Sequence, residues 1–333
     1  MTIGRRIAVT WLLSGVGAIV ACLVAPLVGS TSINLWRVFD SSIPFADNTD
    51  AQIFFIARLP RVLAGALVGS SLAASGVVLQ ALLRNPLATP FTLGVSAGAA
   101  LGAMLALTFN LSSGIAGFSA VPIASFAGSL GAVAIVYGLA RARHSGLSTN
   151  VLLLAGVTLN SFFSALILFV QFLSDFTQTF RTVRWLMGDL DVSSYAPLMA
   201  ALPPIALSFA AFAVLPRRLN LMSISDESAA SRGVDVHRTQ RLAFLSASLA
   251  TGAAVSLGGP IGFIGIVVPH LVRLMVGADH RLVLPASAFG GAAFLVACDT
   301  VSRTVLAPLE IPVGVVTAII GGPFFLWLLI RNR

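Results

Sequence analysis

The sequence contains no lysine among its 333 residues, and its 12 acidic side chains are outnumbered by 20 basic ones, all of them arginines. A Walker A loop needs a lysine after its glycines, so the chain cannot hydrolyse ATP by that mechanism on its own. The two cysteines lie in apolar segments, and the four histidines show no metal-ligand spacing. We therefore expect no disulfide, no metal site, no catalytic cluster and no cofactor bound by this chain.

Charged residues are scarce, at 10% of the chain, whereas 57% of it is hydrophobic and the mean hydropathy is +0.96. An ordinary soluble domain carries about a quarter charged residues, so that class is excluded. Apolar segments suited to crossing a bilayer as helices run over residues 7–29, 62–82, 91–109, 115–140, 149–173, 195–215, 242–258, 261–276, 282–298 and 311–330. The sequence predicts an all-α membrane protein of about ten transmembrane helices, forming one domain over residues 1–333.

The placement of arginine orients the chain. With the N-terminus inside and ten spans, 14 of the 20 arginines fall on the inner side, in agreement with the positive-inside rule. The six outer ones are Arg37, Arg58, Arg61, Arg181, Arg184 and Arg303. Both termini and the segment at 225–241 are then predicted to lie in the cytoplasm. The net charge of +8 then needs no nucleic-acid partner.

One charged island, residues 225–241 (SDESAASRGVDVHRTQR), interrupts the apolar sequence. The pattern predicts a short capped helix in which Ser225 or Asp226 is the N-cap and acidic residues fill the first turn. Arg232 lies in the last turn, and Gly233 follows at C′. Asp235 then caps the next membrane helix. The island is either a solvated connection between spans or a surface presented to a partner.

The apolar segments are rich in Gly, Ala and Ser, and small residues four apart, such as Gly65 with Gly69 and Gly94 with Gly98, permit close helix contact. The acidic residues map almost entirely to loops, with Asp299 nearest to a span, at the outer end of the ninth. An ion-coupled secondary transporter is expected to carry acids deep in the bilayer. Because the sequence shows almost none there, that class is disfavoured and is kept only as the alternative. A membrane enzyme would need a catalytic cluster that the sequence does not offer.

Four stretches carry a family resemblance. They are RLPRVLAGALVGSSLAASGVVLQALLRNPLATPFTLGVSAGAALGA (58–103), WLMGDL (185–190), GGPIGFIGIVVPHLVRLMVGADHRLVLPASA (258–288) and EIPVGVVTAIIGGPFFLWLL (310–329). In this order they resemble the iron-siderophore, haem and cobalamin permeases of bacterial ABC importers, the FecCD-like type II importers. The resemblance covers nearly the whole chain.

The resemblance implies a type II ABC importer permease fold, a location in the bacterial inner (cytoplasmic) membrane and an assembly with several partners. These are a second permease copy or a sister permease, cytoplasmic ATPase subunits that bind ATP and Mg, and a periplasmic or lipid-anchored substrate-binding protein. The expected function is ATP-driven import of an iron chelate by alternating access, with a ferric siderophore first, haem second and cobalamin third. The chain itself is then no enzyme, and the sequence leaves homodimer and heterodimer open.

The resemblance also assigns three sets of residues. Arg58, Arg61 and Arg303 are expected to project outward and pair with carboxylates of the binding protein, although interfacial anchoring is an alternative. A cytoplasmic coupling segment at about 220–240 is expected to meet the ATPase through Asp226, Glu227, Ser228, Ala229, Ala230, Ser231, Arg232 and Gly233. The gate or pathway set is Asn85, Pro86, Leu87, Asn160, Ser161 and Ser164, for which plain turn chemistry and helix packing are the alternatives.

Overall fold

The computed structural model of the protein describes residues 3–111, 119–143, 149–192 and 194–331. The main helices are α1 (Ile3–Val24), α2 (Leu59–Leu83), α3 (Val95–Thr108), α4 (Ala120–Arg143), α5 (Thr149–Leu173), α6 (Phe176–Leu186), α7 (Ala196–Val214), α8 (Pro216–Met222), α9 (Asp226–Ser231), α10 (Val236–Gly258), α11 (Ile264–Val276), α12 (His280–Thr304) and α13 (Val313–Arg331). Short helical turns lie between α1 and α2, and they end in a π-helical segment, Ile53–Arg58, that runs directly into α2.

Seven of the described helices, namely α1, α2, α4, α5, α7, α10 and α12, are long and apolar enough to cross a membrane. Two shorter apolar helices, α3 and α11, and the Val313–Trp327 part of α13 occupy the three remaining predicted segments. The all-α class is therefore confirmed, whereas ten spans stays a prediction. The first residues of the fourth predicted segment, 115–118, lie outside the described residues.

Helix α2 lies at the centre of the bundle and is largely buried between α10, α11 and α12. A Cβ atom built on Gly69 would lie 2.2 Å from the carbonyl oxygen of Gly291 in α12, and one on Gly76 would lie 2.2 Å from that of Gly265 in α11. Residues without a side chain allow helix backbones to approach this closely. The small-residue pattern in the sequence is therefore the contact surface of α2.

Gly94 behaves differently from its predicted partner Gly98. Gly98 faces the backbone of Gly128 in α4. Gly94 instead precedes α3 with φ of +76°, a left-handed conformation that favours glycine, so it makes a turn and not a helix crossing. The spacing of four residues therefore predicted close packing correctly at Gly98, but it did not indicate the turn at Gly94.

Candidate functional site

A cluster of charged side chains is buried at the end of the bundle where α2 begins and α12 ends. Arg61 Nε donates to Asp299 Oδ1 at 2.9 Å, and Arg61 Nη1 donates to Glu310 Oε2 at 2.6 Å. Arg303 Nε donates to the other oxygen of Asp299 at 3.1 Å. One carboxylate therefore serves two arginines, and the cluster ties α2, α12 and the segment before α13 together.

Arg58 belongs to the same region but contacts carbonyl groups. It donates to the carbonyl oxygen of Pro26 at 2.9 Å and to that of Thr31, and Arg303 reaches the carbonyls of Ala25 and Val28 at 3.3 Å. These contacts fasten the chain that follows α1 onto the bundle. Planar guanidinium groups with several donors suit this bridging of backbone oxygens.

The expectation that Arg58, Arg61 and Arg303 project outward is wrong. Their exposed fractions are only 6%, 6% and 7%, because each side chain is folded back onto carboxylate or carbonyl partners of its own chain. Their pairing with carboxylates of a binding protein stays a prediction, and it would require these internal partners to be exchanged.

Asp299 lies near the end of a membrane helix, as the sequence indicated, but α12 continues past it to Thr304 and its side chain is only 1% exposed. An ionised carboxylate that is buried in this way is costly unless it is paired and hydrogen-bonded. Both of its oxygens accept hydrogen bonds from arginines, so the positive charges of Arg61 and Arg303 compensate its negative charge.

The predicted short helix in the charged island is present as α9. The Ser225 hydroxyl oxygen accepts from the backbone N–H of Ser228 at 2.9 Å, which makes Ser225 the N-cap. Gly233 follows with φ of +82°, and Asp235 caps α10 through the N–H of Arg238. Arg232 is the C-cap, one position later than the last turn that the sequence predicted.

One face of α9 packs inward and the other is free to meet a partner. Ala229 is fully buried, whereas the side chains on the opposite face are exposed. The exposed residues of the predicted coupling set are Glu227, Ala230, Ser231, Arg232 and Gly233. The helix is thus an ordered, charged projection, and its contact with an ATPase stays a prediction.

Three polar contacts join α8 and α9 to the membrane helices. Arg84, which ends α2 in a left-handed conformation, donates to Asp226 Oδ1 at 2.5 Å and to the carbonyl oxygen of Met222 at 2.9 Å. In α8, Asn220 Nδ2 donates to Asp279 Oδ1 at 2.7 Å, just before α12. Sequence reasoning missed both Arg84 and Asn220, because their partners are distant in the sequence.

Asp279 is the N-cap of α12, and its environment favours the ionised form. Arg281 Nη2 donates to Asp279 Oδ2 at 2.6 Å, and this contact together with the N–H of Arg281 and the amide of Asn220 holds the pKa of Asp279 well below its usual range. At neutral pH Asp279 is therefore ionised, and its hydrogen bonds hold α8 against the start of α12.

The predicted gate turn follows α2. Asn85 Oδ1 accepts from the N–H of Leu87 at 2.9 Å, which closes a local turn, and Pro86 and Leu87 are exposed at its tip. The geometry is that of an ordinary Asx turn at the same end of the bundle as α9. A gating role for this turn stays a prediction.

The three pathway candidates in α5 separate into two kinds. Asn160 Nδ2 donates to the carbonyl oxygen of Phe91 at 3.0 Å, which fastens α5 to the turn before α3. Ser161 and Ser164 are exposed, and the Ser161 hydroxyl donates within its own helix to Val157. The structure gives Asn160 a structural contact, and a pathway role for the two serines stays a prediction.

An open cavity of about 540 Å³ is bordered by Phe91, in the turn before α3, and was not found from the sequence. Phe263, which begins α11 with φ of +67°, and Met187 form part of its wall, together with residues at the start of α13 such as Gly314. The Gly258–Gly259–Pro260 interruption was the available signal, because it ends α10 and starts this irregular segment. Within the described residues no group of three His, Cys, Asp or Glu side chains could hold a metal ion.

The chain is similar to known transport permeases in both sequence and fold. Residues 17–331 match the FecCD transport family. The hemin transport system permease protein of Yersinia pestis is 39% identical over 321 residues, 95% of each chain, and a cobalamin import system permease protein of Halobacterium salinarum is 46% identical over 83% of this chain and 72% of its own length. A solved structure, an inward-facing conformation of a metal-chelate type ABC transporter, matches with a TM-score of 0.81 and 31% identity over 98% of this chain and 99% of that chain, which confirms the type II importer permease fold. On this evidence, the chain belongs to the FecCD transport family.

Proposed function

We propose that this chain is the permease subunit of an ABC importer that carries a metal chelate across the bacterial inner membrane. The observation that carries the proposal is the match of the whole chain to permeases of chelate importers, two of them named for hemin and cobalamin. A ferric siderophore remains the first cargo to test, with haem and cobalamin beside it. The apolar bundle supplies the pathway, and a separate subunit supplies ATP hydrolysis.

The coupling step is assigned to α9. A partner ATPase that binds ATP and Mg meets the exposed face of α9 and moves it as one ordered unit. Arg84 passes the displacement to α2, and the Asn220–Asp279 contact passes it through α8 to α12. These two helices cross at Gly69 and Gly291, so a movement at one end alters the packing of the bundle.

The binding protein is assigned to the opposite end, at the buried arginine cluster. Glu310 is the accessible member, since its side chain is 48% exposed while that of its partner Arg61 is 7% exposed. A carboxylate of the binding protein takes the place of Glu310 on Arg61 when the two proteins meet. Two permeases form the pathway between them, with Ser161 and Ser164 on the exposed face of α5 as candidate lining residues.

The test is uptake of labelled ferric siderophore, haem and cobalamin by a strain that lacks this gene. We expect loss of one cargo, with recovery on return of the intact gene. A matched strain in which only the ATPase partner carries an inactive Walker A lysine should lose the same cargo. Normal uptake of all three chelates in both strains would contradict the proposal.

The alternative, an ion-coupled secondary transporter, needs a titratable acid that the pathway can load and unload. Asp299 is the buried acid of the described bundle, and it is occupied by two arginines, which disfavours that use. The two functions differ in energy source. Uptake that stops when the proton gradient collapses while ATP remains high would favour the secondary transporter.

A further inference from the structure

A long apolar groove of about 760 Å³ lies on the side of the bundle. One wall is a stripe of α1 that includes Trp11 and Ile19, and the facing wall is α7. Its floor is formed by α2 and α12. Ile19 and Met199, on the two walls, are 60% and 62% exposed, so the groove opens sideways and not into the bundle.

The groove has the chemistry of the membrane interior over most of its length. Its lining is apolar or aromatic apart from the hydroxyl of Ser70 and the thiol of Cys22, and Trp11 and Tyr195 are set in its two walls. Their polar atoms are already used, since Trp11 Nε1 donates to the carbonyl oxygen of Arg281 at 3.1 Å and the Tyr195 hydroxyl donates to that of Phe55 at 2.7 Å. Such a surface accommodates hydrocarbon chains.

One end of the groove is strongly basic, because each helix that lines it there carries arginine within one to two turns. Arg5 and Arg6 precede Trp11 on α1, Arg281 precedes Leu284 on α12, and Arg217 and Arg218 follow the last lining residues of α7. Asn220, one turn after Arg217, is hydrogen-bonded to Asp279 and to His280, which holds the α8 arginines beside the start of α12.

Most of this positive charge is not compensated by the protein. Asp279 neutralises Arg281, but Arg5, Arg217 and Arg218 are exposed and form no ion pair within the described part of the chain. By the positive-inside rule this end of the groove faces the cytoplasm. Basic pockets between membrane helices on that side bind the headgroups of anionic lipids.

We propose that the groove is a binding site for one anionic phospholipid, with its acyl chains between α1 and α7 and its phosphate held by Arg217 and Arg218. The bound lipid fills the space that separates α1 from α7 and stabilises the contact of α1 with the bundle. The site is independent of the cargo and of ATP, so its test does not depend on the transport assignment.

The test uses the fluorescence of Trp11, which lies in the groove. The other three tryptophans are changed to phenylalanine, and the importer, complete with its ATPase, is reconstituted in bilayers that contain either brominated phosphatidylglycerol or brominated phosphatidylcholine at the same mole fraction. Bromine quenches only a tryptophan that it touches. We expect stronger quenching by the anionic lipid, because it is enriched in the groove.

Two variants and a control make the assignment specific. Arg217→Gln with Arg218→Gln should lower the relative affinity for phosphatidylglycerol by about tenfold or more, since each basic residue near an anionic membrane surface is worth roughly a fivefold change. Ala213→Phe, at the exposed edge of the groove, should lower quenching while leaving the arginines intact. Arg141→Gln with Arg241→Gln removes two exposed charges elsewhere on the same side and should change nothing.

Three results would overturn the proposal. Equal quenching by the two lipids would mean that the groove holds bulk lipid without headgroup selection. Quenching by neither lipid would mean that protein covers the groove, as in a contact with a second copy of the chain. A preference that survives removal of Arg217 and Arg218 would place the headgroup elsewhere.

Discussion

At the level of single residues, Arg61 has the largest energetic consequence, because it pairs with two carboxylates while it is almost completely buried. Removing one partner of a buried ion pair leaves a charge without compensation, at a cost of about 3–5 kcal/mol. We expect Arg61→Gln and Asp299→Asn to lower the thermal unfolding temperature of the purified permease markedly. Glu310→Gln should cost less, since that carboxylate is half exposed.

The matched control is Arg37→Gln, which removes an exposed arginine from the same side of the protein. It should leave the unfolding temperature unchanged, because exposed charges contribute little to stability. If Arg61→Gln were as stable as Arg37→Gln, the buried cluster would not support the fold. The distinction also affects any charge-reversal test of binding-protein contact, since a glutamate at position 61 would face Asp299 directly.

These residues mark the limit of what the sequence could tell. The pattern grouped Arg58, Arg61 and Arg303 at one end of the bundle. It could not reveal that Arg61 and Arg303 share Asp299, or that Arg58 folds onto the chain after α1. Their partners lie on other helices, and local spacing carries no information about such contacts. The caps of α9 were predictable because both partners of each cap lie within three residues.

At the level of helices, the crossing of α2 and α12 depends on the absence of side chains at Gly69 and Gly291. We expect Gly69→Ala to force the helices apart and to destabilise the permease by about 1–3 kcal/mol, because a Cβ there would overlap the backbone of α12. The measurement is thermal unfolding in detergent. Gly131→Ala in α4 is the control, since nothing lies within 4 Å of its Cβ position; equal behaviour of the two variants would contradict the crossing.

The connection between α9 and α2 gives a prediction about coupling and not about stability. The Arg84–Asp226 pair is half exposed, so Arg84→Gln should change the free energy of unfolding by less than about 1 kcal/mol. It should nevertheless reduce the cargo moved per ATP hydrolysed, because it detaches the end of α2 from the helix that meets the ATPase.

The measurement for this variant is uptake and ATP hydrolysis in the same reconstituted vesicles. Arg141→Gln, an exposed arginine at the end of α4, serves as the control. An unchanged ratio of transport to hydrolysis in Arg84→Gln would show that α9 acts without this contact. A parallel loss of both activities would indicate failed assembly and would also contradict the expected uncoupling.

At the level of the whole molecule, composition and hydropathy were sufficient for the class and for the position of each apolar helix. They were not sufficient for the number of crossings, because α3 and α11, with 14 and 13 residues, are shorter than a bilayer usually requires. A short helix can cross only where neighbouring helices or loops complete the path, and hydropathy does not report such neighbours. The arrangement of the two ends therefore has to be measured.

Single cysteines can measure it, because the native thiols are poor targets. Cys298 is buried within α12 and Cys22 lies near the end of α1 among apolar neighbours, so both should react slowly with a charged maleimide. Ser41→Cys and Ala230→Cys place an exposed thiol at opposite ends of the bundle. In intact spheroplasts, we expect the thiol at position 41 to be labelled and the one at 230 to react only after the membrane is opened. Labelling of both thiols from outside would place α9 on the wrong side of the membrane for an ATPase. That result would contradict the arrangement of spans, the coupling route and the cytoplasmic lipid headgroup site together.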